Sequence, residues 1–548
     1  MRGRRGAVAS PHHLATDAGL DILRAGGSAV DAAITVNAVL AVVAGYDCGL
    51  GGDAFWLIWD SAAAKAMALN GSGRAGSGAK IEAARAMGYR EIPERGPWSV
   101  TVPGAVHSWG AAHGRYGRLG WADLMAPAID LAAEGFAAGE MWVAQVERGA
   151  TSLGEHPDWA RVYRPAGRAW RPGATVRLPA LAQTLRLLAA EGPEAAYAGS
   201  LGRRTTMFLR AAGAPFGHGD LAAHRSDWGE PIAVPYRGLM AMSHPPNSCG
   251  VVALQTLRML ELLGAPDGAF DGRGWSDPGW VHLGLEASRL ALAERDRHLT
   301  DGAAMDAALV EAMLSPERAA VLAGRIDARR ALPPEEAVLA TGSDTAYIAT
   351  ADDEGGLVSL LASNFRSFGS GLVDPATGIV FHDRGAFFRL DPDHPNALAP
   401  GKRTTHTLSP GMLMRDGHPW IAHGSMGGEI QPQVFAQFVS AVVDGGADIA
   451  TAIAAPRWAA RMPEPQAPAT RTELESRMHP SIEARLRELG HAVDIVGPWA
   501  PEMGRAHAIE VVRPTGEARV GGEPRPLRED VTYAAAHDPR SEGSAVAW

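Results

Sequence analysis

The sequence predicts a fold that combines α-helices with antiparallel β-strands, of the α+β or layered α/β kind. Three observations lead to this prediction. Helical periodicity dominates the first 325 residues. Two strand-like segments separated by a short turn follow at 345–351 and 357–363. Apolar residues make up 46% of the 548 residues and charged residues 20%, which is enough to bury a large core.

The N-terminal elements are predicted to be two helices followed by a buried strand. Apolar residues recur at helical spacing over 14–45, and Ala25-Gly26-Gly27-Ser28 interrupts them. The second of these helices is rich in small residues, which permit close packing. After the turn Gly49–Asp53, the run Phe55–Trp59 has the composition of a buried strand.

Helical patterns continue through the middle of the chain, and a hairpin follows them. The further helical segments are 119–137, 179–192, 251–264 and 280–300. The last of these has the clearest amphipathic pattern. The polar, proline-broken stretch Arg329–Glu336 predicts an exposed linker. After the linker, Thr345–Ala351 and Leu357–Ser363 are predicted to pair across a five-residue turn.

Charge and composition exclude several classes of protein. The net charge is −10, which argues against a nucleic-acid partner because such proteins need a basic surface. Two cysteines, Cys48 and Cys249, are too few for a disulfide scaffold or a cysteine-based zinc site. We find no secretory signal and no apolar run of 18 residues. The expectation is therefore a soluble, cytoplasmic protein without a membrane partner.

Common enzyme signatures are absent, but two glycine-containing segments could carry chemistry. The chain lacks G-x-S-x-G, H-E-x-x-H and a Walker loop. Gly71–Gly76 matches G-x-G-x-x-G but lacks the helix start of a dinucleotide site, so a simple glycine loop is favoured. Gly342–Thr345 leads from the linker straight into a strand. Gly424–Gly428 is a glycine turn that could direct two backbone N–H groups at one oxygen.

A series of short motifs occurs in a fixed order along nearly the whole chain. They are Arg5–Ser10, Gly26–Ala33, Gly49–Asp53, Leu69–Ala75, Val102–Ala105, Ala126–Ile129, Pro245–Ser248, Asn364–Gly371, Pro400–Arg403, Met426–Gly428 and Ala455–Arg457. In this order they resemble the gamma-glutamyltranspeptidase family of N-terminal-nucleophile hydrolases, in particular a bacterial branch without a secretory signal. The resemblance implies a four-layer αββα sandwich and chemistry that needs no metal or organic cofactor.

The resemblance also implies that the chain cuts itself between Asp344 and Thr345. The products would be a helix-rich large fragment, 1–344, and a small fragment, 345–548, that stay together as one intertwined unit. The cut would give Thr345 a free α-amine, whose reference pKa of about 7.7–8.0 suits a base for its own hydroxyl. By the same resemblance, Gly427 and Gly428 form the oxyanion hole and Ser363 hydrogen-bonds the nucleophile.

Several positions depart from the family pattern for binding a glutamyl group. Ser72 stands where the family has the arginine that holds the α-carboxylate, and Arg74 lies two residues further on. The positions that bind the α-amine correspond to Phe365, Arg384 and Phe387, none of which can accept a hydrogen bond from an ammonium. His406 and Thr407 replace a pair of serines.

These departures predict an acyl group that is small or anionic and lacks a free α-amine. The candidate substrate contacts are Arg74, Arg384, His406, Thr407 and Asn364. Branches of the family that contain oxamate amidohydrolases and cephalosporin acylases fit such a pocket better than glutathione does. Two alternatives stay open: a true γ-glutamyl transferase or glutathione hydrolase, and an unprocessed, inactive relative that acts as a binding scaffold. A dimer of the processed heterodimers is a further expectation.

Overall fold

The helices and strands follow one another along most of the chain. The computed structural model describes residues 1–153, 156–167, 169–272, 274, 276–333, 344–461, 471–513 and 531–548. Its α-helices are His13–Arg24, Ala29–Val43, Ile81–Ala86, Ala105–Tyr116, Trp121–Glu134, Glu140–Leu153, Pro157–Tyr163, Pro179–Glu191, Ser200–Ala211, Gly250–Leu263, Pro278–His298, Ala307–Leu314, Pro316–Ala323, Gln431–Val443, Ile449–Ala454 and Pro480–Glu488.

Two seven-stranded sheets, antiparallel throughout, form the centre of the molecule. In spatial order, sheet I consists of Ser544–Ala547, Ala7–Ser10, Asp344–Ala351, Leu357–Phe365, Asp53–Asp60, Lys65–Gly71 and Asp227–Gly229. Sheet II consists of Arg2–Gly3, Thr532–His537, Ala506–Val512, His418–Ser425, Gly411–Arg415, Leu239–Ser243 and Ile232–Tyr236. A three-stranded sheet consists of Trp458–Arg461, Arg471–Glu475 and Ala492–Val496. Two further sheets have two strands each: Val373–Asp374 with Ile379–Val380, and Phe136–Ala137 with Thr175–Val176.

The two large sheets pack face to face, and helices cover their outer faces. Because side chains alternate along a strand, Phe55 and Leu57 point between the sheets, whereas Trp56 and Ile58 point outward. Residues of both sheets share the inner core, including Tyr347, Leu361, Met412, Ala422, Ile509 and Tyr533. The result is the α+β, four-layer αββα arrangement that the family resemblance implied.

Each outer face has its own helices. Sheet I packs against the helices that begin at His13 and Ala29, and every residue of Ala29–Val43 is buried. Ser28 and Asp31 form a capping box at the start of that second helix. On the outer face of sheet II the principal helices are Gly250–Leu263 and Gln431–Val443.

The predicted hairpin is confirmed, and it lies in the middle of sheet I. Strands Asp344–Ala351 and Leu357–Phe365 are joined by the five-residue turn 352–356. Both large sheets take strands from either side of the bond between residues 344 and 345. The predicted fragment boundary therefore passes through a shared core rather than between two separate units.

Two predictions for individual elements need correction. The segment 280–300 is a helix, Pro278–His298, but it is buried on nearly every side rather than amphipathic. Its charged residues satisfy one another inside the protein, as in the Glu286–Arg289 ion pair at 2.8 Å. The helix predicted at 119–137 ends at Glu134, and a short strand follows. Of the predicted linker, Arg329 and Arg330 are exposed. Its residues 334–336, together with 342 and 343, lie outside the described part.

Candidate functional site

Thr345 lies at an irregularity in sheet I. Asp344 pairs with Phe365 and Ala346 pairs with Ala362, so Thr345 alone faces the two residues Ser363 and Asn364. This two-against-one pairing is a β-bulge, a feature that is frequent next to active sites because it changes the direction of a side chain. Thr345 is only 1% exposed. The bulge therefore holds its hydroxyl inside the protein.

Two side chains contact the Thr345 hydroxyl. Its Oγ1 lies 3.0 Å from Oγ of Ser363, and Nε2 of Gln431 donates to it at 3.5 Å. Ser363 Oγ also accepts a hydrogen bond from the Phe365 N–H at 2.8 Å. Either hydroxyl can be the donor in the hydrogen bond between Ser363 and Thr345. Ser363 and Gln431 together can stabilise negative charge on the threonine oxygen.

The glycine turn lies directly before the helix that carries Gln431. Gly427 and Gly428 follow strand His418–Ser425 and have φ values of 125° and 61°. At Gly427, an added Cβ would lie 2.4 Å from the side chain of Ile430, so only glycine fits. No described residue accepts a hydrogen bond from either glycine N–H. The turn thus offers two free donors close to the start of a helix.

Arg384 is buried between two aromatic rings, one of them Phe365 at the end of the strand that carries Ser363. Its guanidinium carbon lies 4.0 Å from the ring centre of Phe365 and 5.0 Å from that of Phe387. Nη2 donates to Thr407 Oγ1 at 3.2 Å, whereas Nε and Nη1 have no partner among the described residues. Burial lowers the pKa of Arg384 to about 10, so it stays charged at neutral pH. A buried cation whose donors are available in this way is suited to bind an anion.

Phe365 adopts an unusual backbone conformation in this pocket. Its φ is 74°, a region that costs a residue with a side chain about 1–3 kcal/mol. This turn ends the strand directly after the Thr345 bulge and places the phenyl ring under Arg384. Asp383 does not pair with Arg384, since its carboxylate is bound by Arg366 at 3.1 Å. The arginine is therefore available to a ligand.

A buried cluster of Asp53, His382 and His406 adjoins the pocket. Asp53 pairs with Ser363 across neighbouring strands of sheet I. Asp53 Oδ2 lies 3.3 Å from Nδ1 of His382 and 3.2 Å from Nε2 of His406. Nδ1 of His406 accepts a hydrogen bond from the Leu408 N–H at 3.4 Å. Both nitrogens of His406 are thus occupied, so the expected anion contact by His406 does not fit this arrangement.

Two other expected substrate contacts point elsewhere. Arg74 forms ion pairs with Asp227 at 3.1 Å and with Asp301 at 3.3 Å, which neutralise its charge. Asn364 donates to the Gly45 carbonyl at 3.1 Å, on the helix side of the sheet. Of the expected contacts, Arg384 and Thr407 contact each other, with Arg384 over the ring of Phe365, whereas Arg74 and Asn364 bind other groups.

A cavity of about 100 Å³ borders the pocket. Its lining includes Phe387, which stacks on Arg384, and Arg366, which follows Phe365 in the chain. Arg295 is also in the wall and forms a 2.9 Å ion pair with Glu429, the residue after Gly428. Each of these wall residues is one contact or one chain position away from a site residue. The cavity therefore lies next to residues that surround Arg384.

Three residues of this site have no role predicted from the sequence. Asp53 ends the Gly49–Asp53 turn, where an acid directly before an apolar strand is a usable signal. His382 was not singled out, although it stands two positions before Arg384. Gln431 carried no signal, because only the packing of its helix on sheet II brings it to Thr345.

The described residues also contain one group with metal-ligating side chains, separate from the pocket residues named above. His282, Glu286 and His491 are buried, and their ligand atoms lie within 4.8 Å of one another. His282 Nδ1 is 2.8 Å from His491 Nε2, and His282 Nε2 is 2.9 Å from the Asp327 carbonyl. These groups therefore satisfy one another as a hydrogen-bond network.

Among the described helices, none is long and apolar enough to cross a bilayer.

Two facing sheets between helices, with a buried threonine at the start of a central strand, are the architecture of N-terminal-nucleophile hydrolases. The family model for gamma-glutamyltranspeptidase matches residues 15–548, and the chain belongs to that family and is an enzyme of it.

The relatives carry several different activities. The chain is 38% identical over 549 residues to the glutathione hydrolase-like YwrD proenzyme of Bacillus subtilis, covering 99% of this chain and 98% of the relative. It is 37% identical over 552 residues to the oxamate amidohydrolase proenzyme of Klebsiella pneumoniae, covering 99% and 98%. The crystal structure of cephalosporin acylase from Bacillus halodurans superimposes with a TM-score of 0.87 at 35% identity, covering 100% of this chain and 96% of that one.

Proposed function

We propose that this protein is a self-processing amidohydrolase whose nucleophile is Thr345. Cleavage of the bond between Asp344 and Thr345 releases an α-amine next to the threonine hydroxyl. An amine with a reference pKa of about 7.7–8.0 is partly unprotonated near neutral pH and can take the hydroxyl proton. Nucleophile and base are then supplied by one residue, which accounts for the missing serine–histidine motif.

The reaction proceeds in two steps. The Thr345 oxygen adds to the carbonyl carbon of the substrate amide, and the C–N bond breaks as the leaving amine receives the proton. The resulting threonine ester is then hydrolysed by water, which regenerates the hydroxyl. Gly427 and Gly428 have free N–H groups that can hold the oxyanion, and removal of one such donor typically costs about 10²–10³ in rate.

The acyl group is proposed to be small and to carry a carboxylate in place of the α-amino acid end of glutamate. The observation that carries this proposal is the buried Arg384, which lies between Phe365 and Phe387 and has two nitrogens without a partner in the described part of the chain. An ammonium group placed there would be repelled by the arginine and would find no acceptor on the rings. The relative named as an oxamate amidohydrolase supports the same class of substrate, since oxamate is a small amide with one carboxylate.

A substrate panel tests this proposal against its alternatives. The purified protein is incubated with oxamate, with a glutaryl amide and with γ-glutamyl-p-nitroanilide, the last with and without glycylglycine as acceptor. The proposal predicts faster turnover of oxamate or the glutaryl amide. A preference for the γ-glutamyl substrate, stimulated by glycylglycine, would instead identify a γ-glutamyl transferase. A chain that stays uncut and turns over none of them would be the inactive scaffold.

A further inference from the structure

Asp53 is a buried carboxylate held between two imidazole rings. Besides the two histidine contacts on Oδ2, its Oδ1 accepts hydrogen bonds from the N–H groups of Gly73 at 3.1 Å and Gly104 at 3.3 Å. Burial alone would raise the pKa of Asp53, but His382 and His406 outweigh it and hold that pKa well below its usual range. Asp53 is therefore ionised, with a donor at every position.

The two imidazoles differ in the protons they carry. Nδ1 of His406 accepts a hydrogen bond from a backbone N–H, so only Nε2 bears a proton and the ring is neutral. Nε2 of His382 lies 2.9 Å from the Thr101 carbonyl oxygen, which can only accept, and 3.2 Å from the Thr101 hydroxyl, which can accept as well. The closer contact, to the carbonyl, requires a proton on Nε2. Nδ1 faces the Asp53 carboxylate at 3.3 Å, which also requires a proton there. Both nitrogens of His382 therefore need protons. This geometry makes His382 an imidazolium.

Burial acts to lower the pKa of both imidazole rings, but the charges next to the two rings differ. Burial, reinforced by the charge of Arg384, lowers the pKa of His406 to about 3. Burial also opposes a charge on His382, but Asp53 outweighs it and raises the pKa of His382. The carboxylate of Asp383, which follows His382 in the chain, is bound to Arg366.

The charges of Asp53, His382 and His406 determine whether the charge of Arg384 is balanced. Asp53 carries one negative charge and His382 one positive charge, while His406 is neutral. The positive charge of Arg384 is then left without a counter-ion. If His382 were neutral, the ionised Asp53 would compensate Arg384 instead, and the pocket would have no net attraction for an anion.

We infer that His382 is a positioning residue that sets the charge of the acyl pocket. Its imidazolium neutralises Asp53, which leaves Arg384 to bind one carboxylate of the substrate. This inference rests on the proposed function and narrows it to acyl groups with a single negative charge. His382 would then contribute to substrate specificity without contacting the substrate.

The matched substrates oxamate and oxamide test the inference, because they differ only in a carboxylate against a neutral amide. The quantity measured is the ratio of their kcat/KM values between about pH 6 and pH 10. The α-amine of Thr345 titrates in this range, but it affects both substrates and cancels in the ratio. In the native protein, the preference for oxamate is expected to decline as pH rises through the raised pKa of His382.

The variant His382→Asn should lower the oxamate-to-oxamide ratio at pH 7 by about tenfold or more and make it independent of pH. His423→Asn is the matched control, because His423 is also buried but has no charged neighbour, and it should keep the native ratio. An unchanged ratio in the His382 variant would overturn the inference. The proposed function would survive that result as long as the small fragment begins at Thr345.

A second measurement does not depend on the variant folding. In side-chain ¹⁵N NMR of the native, processed protein, with the His382 ring assigned by through-bond correlations, that ring should carry two bound protons at pH 7. A His382 ring with a single proton at pH 7 would contradict the inference, whichever substrates the enzyme accepts.

Discussion

Replacing Arg384 by glutamine tests the specificity of the pocket most sharply. The variant keeps a side chain that can hydrogen-bond Thr407 but removes the charge and the two free guanidinium donors. A hydrogen bond to a charged group contributes about 1.5–3 kcal/mol, so the loss of one or two corresponds to a decrease of about 10- to 10⁴-fold in kcat/KM for oxamate. Stability should be unchanged or raised, because an unpaired buried charge is costly even between aromatic rings.

The assay compares kcat/KM for oxamate and oxamide, together with the melting temperature. Arg384→Gln should lose activity on oxamate far more than on oxamide. Arg74→Gln is the control, because Arg74 already pairs with the half-exposed Asp227 and the buried Asp301, and the substrate ratio should not change. An Arg384 variant with the native ratio would refute the assignment of the carboxylate to this arginine.

Four other perturbations have defined outcomes. Thr345→Ala should leave the chain uncut and inactive but folded, which a denaturing gel and circular dichroism would report. Ser363→Ala should slow turnover by about 10–100-fold, because it removes a donor to the nucleophile, whereas Ser363→Thr should restore most of the rate. Gly427→Ala should abolish activity through the clash in its turn, while Gly446→Ala, also at positive φ but in open space, should lower only the melting temperature. Burial works to raise the pKa of Asp538, but two arginines outweigh it and lower that pKa from 3.8 to about 2. This group should therefore stabilise the fold by about 2 kcal/mol above pH 4 and lose that contribution as pH falls through 2; urea unfolding of Asp538→Asn should show a correspondingly weaker pH dependence.

The spacing of apolar residues and the position of turn residues were sufficient to predict helices and strands in which buried and exposed residues follow a regular pattern. The helix pair over 14–45, the strand around Phe55–Trp59 and the hairpin after Thr345 all follow from periodicity and turn residues, and the structure confirms them. The helix at 280–300 was predicted to expose one face to solvent, because that pattern contains many charged residues, but most of the helix is buried. Its charged residues are buried because they pair with one another, as Glu286 does with Arg289, which a one-dimensional pattern cannot reveal.

The site could be predicted only in part, for a related reason. The motifs drew attention to Thr345 and the glycine turn because these lie in unusual local sequences. They could not separate Arg384 from Arg74, since the difference lies in which carboxylates reach each guanidinium. Nor could they reveal that His382 and His406 share Asp53, because strands and loops far apart in the chain bring the three together.

The most direct test of the account is the N-terminal sequence of the smaller polypeptide from the purified protein. We expect two fragments of 344 and 204 residues, the smaller beginning Thr-Ala-Tyr-Ile. A single intact chain that nevertheless hydrolyses oxamate, or a small fragment with any other first residue, would contradict the claim that Thr345 supplies both the nucleophile and its base.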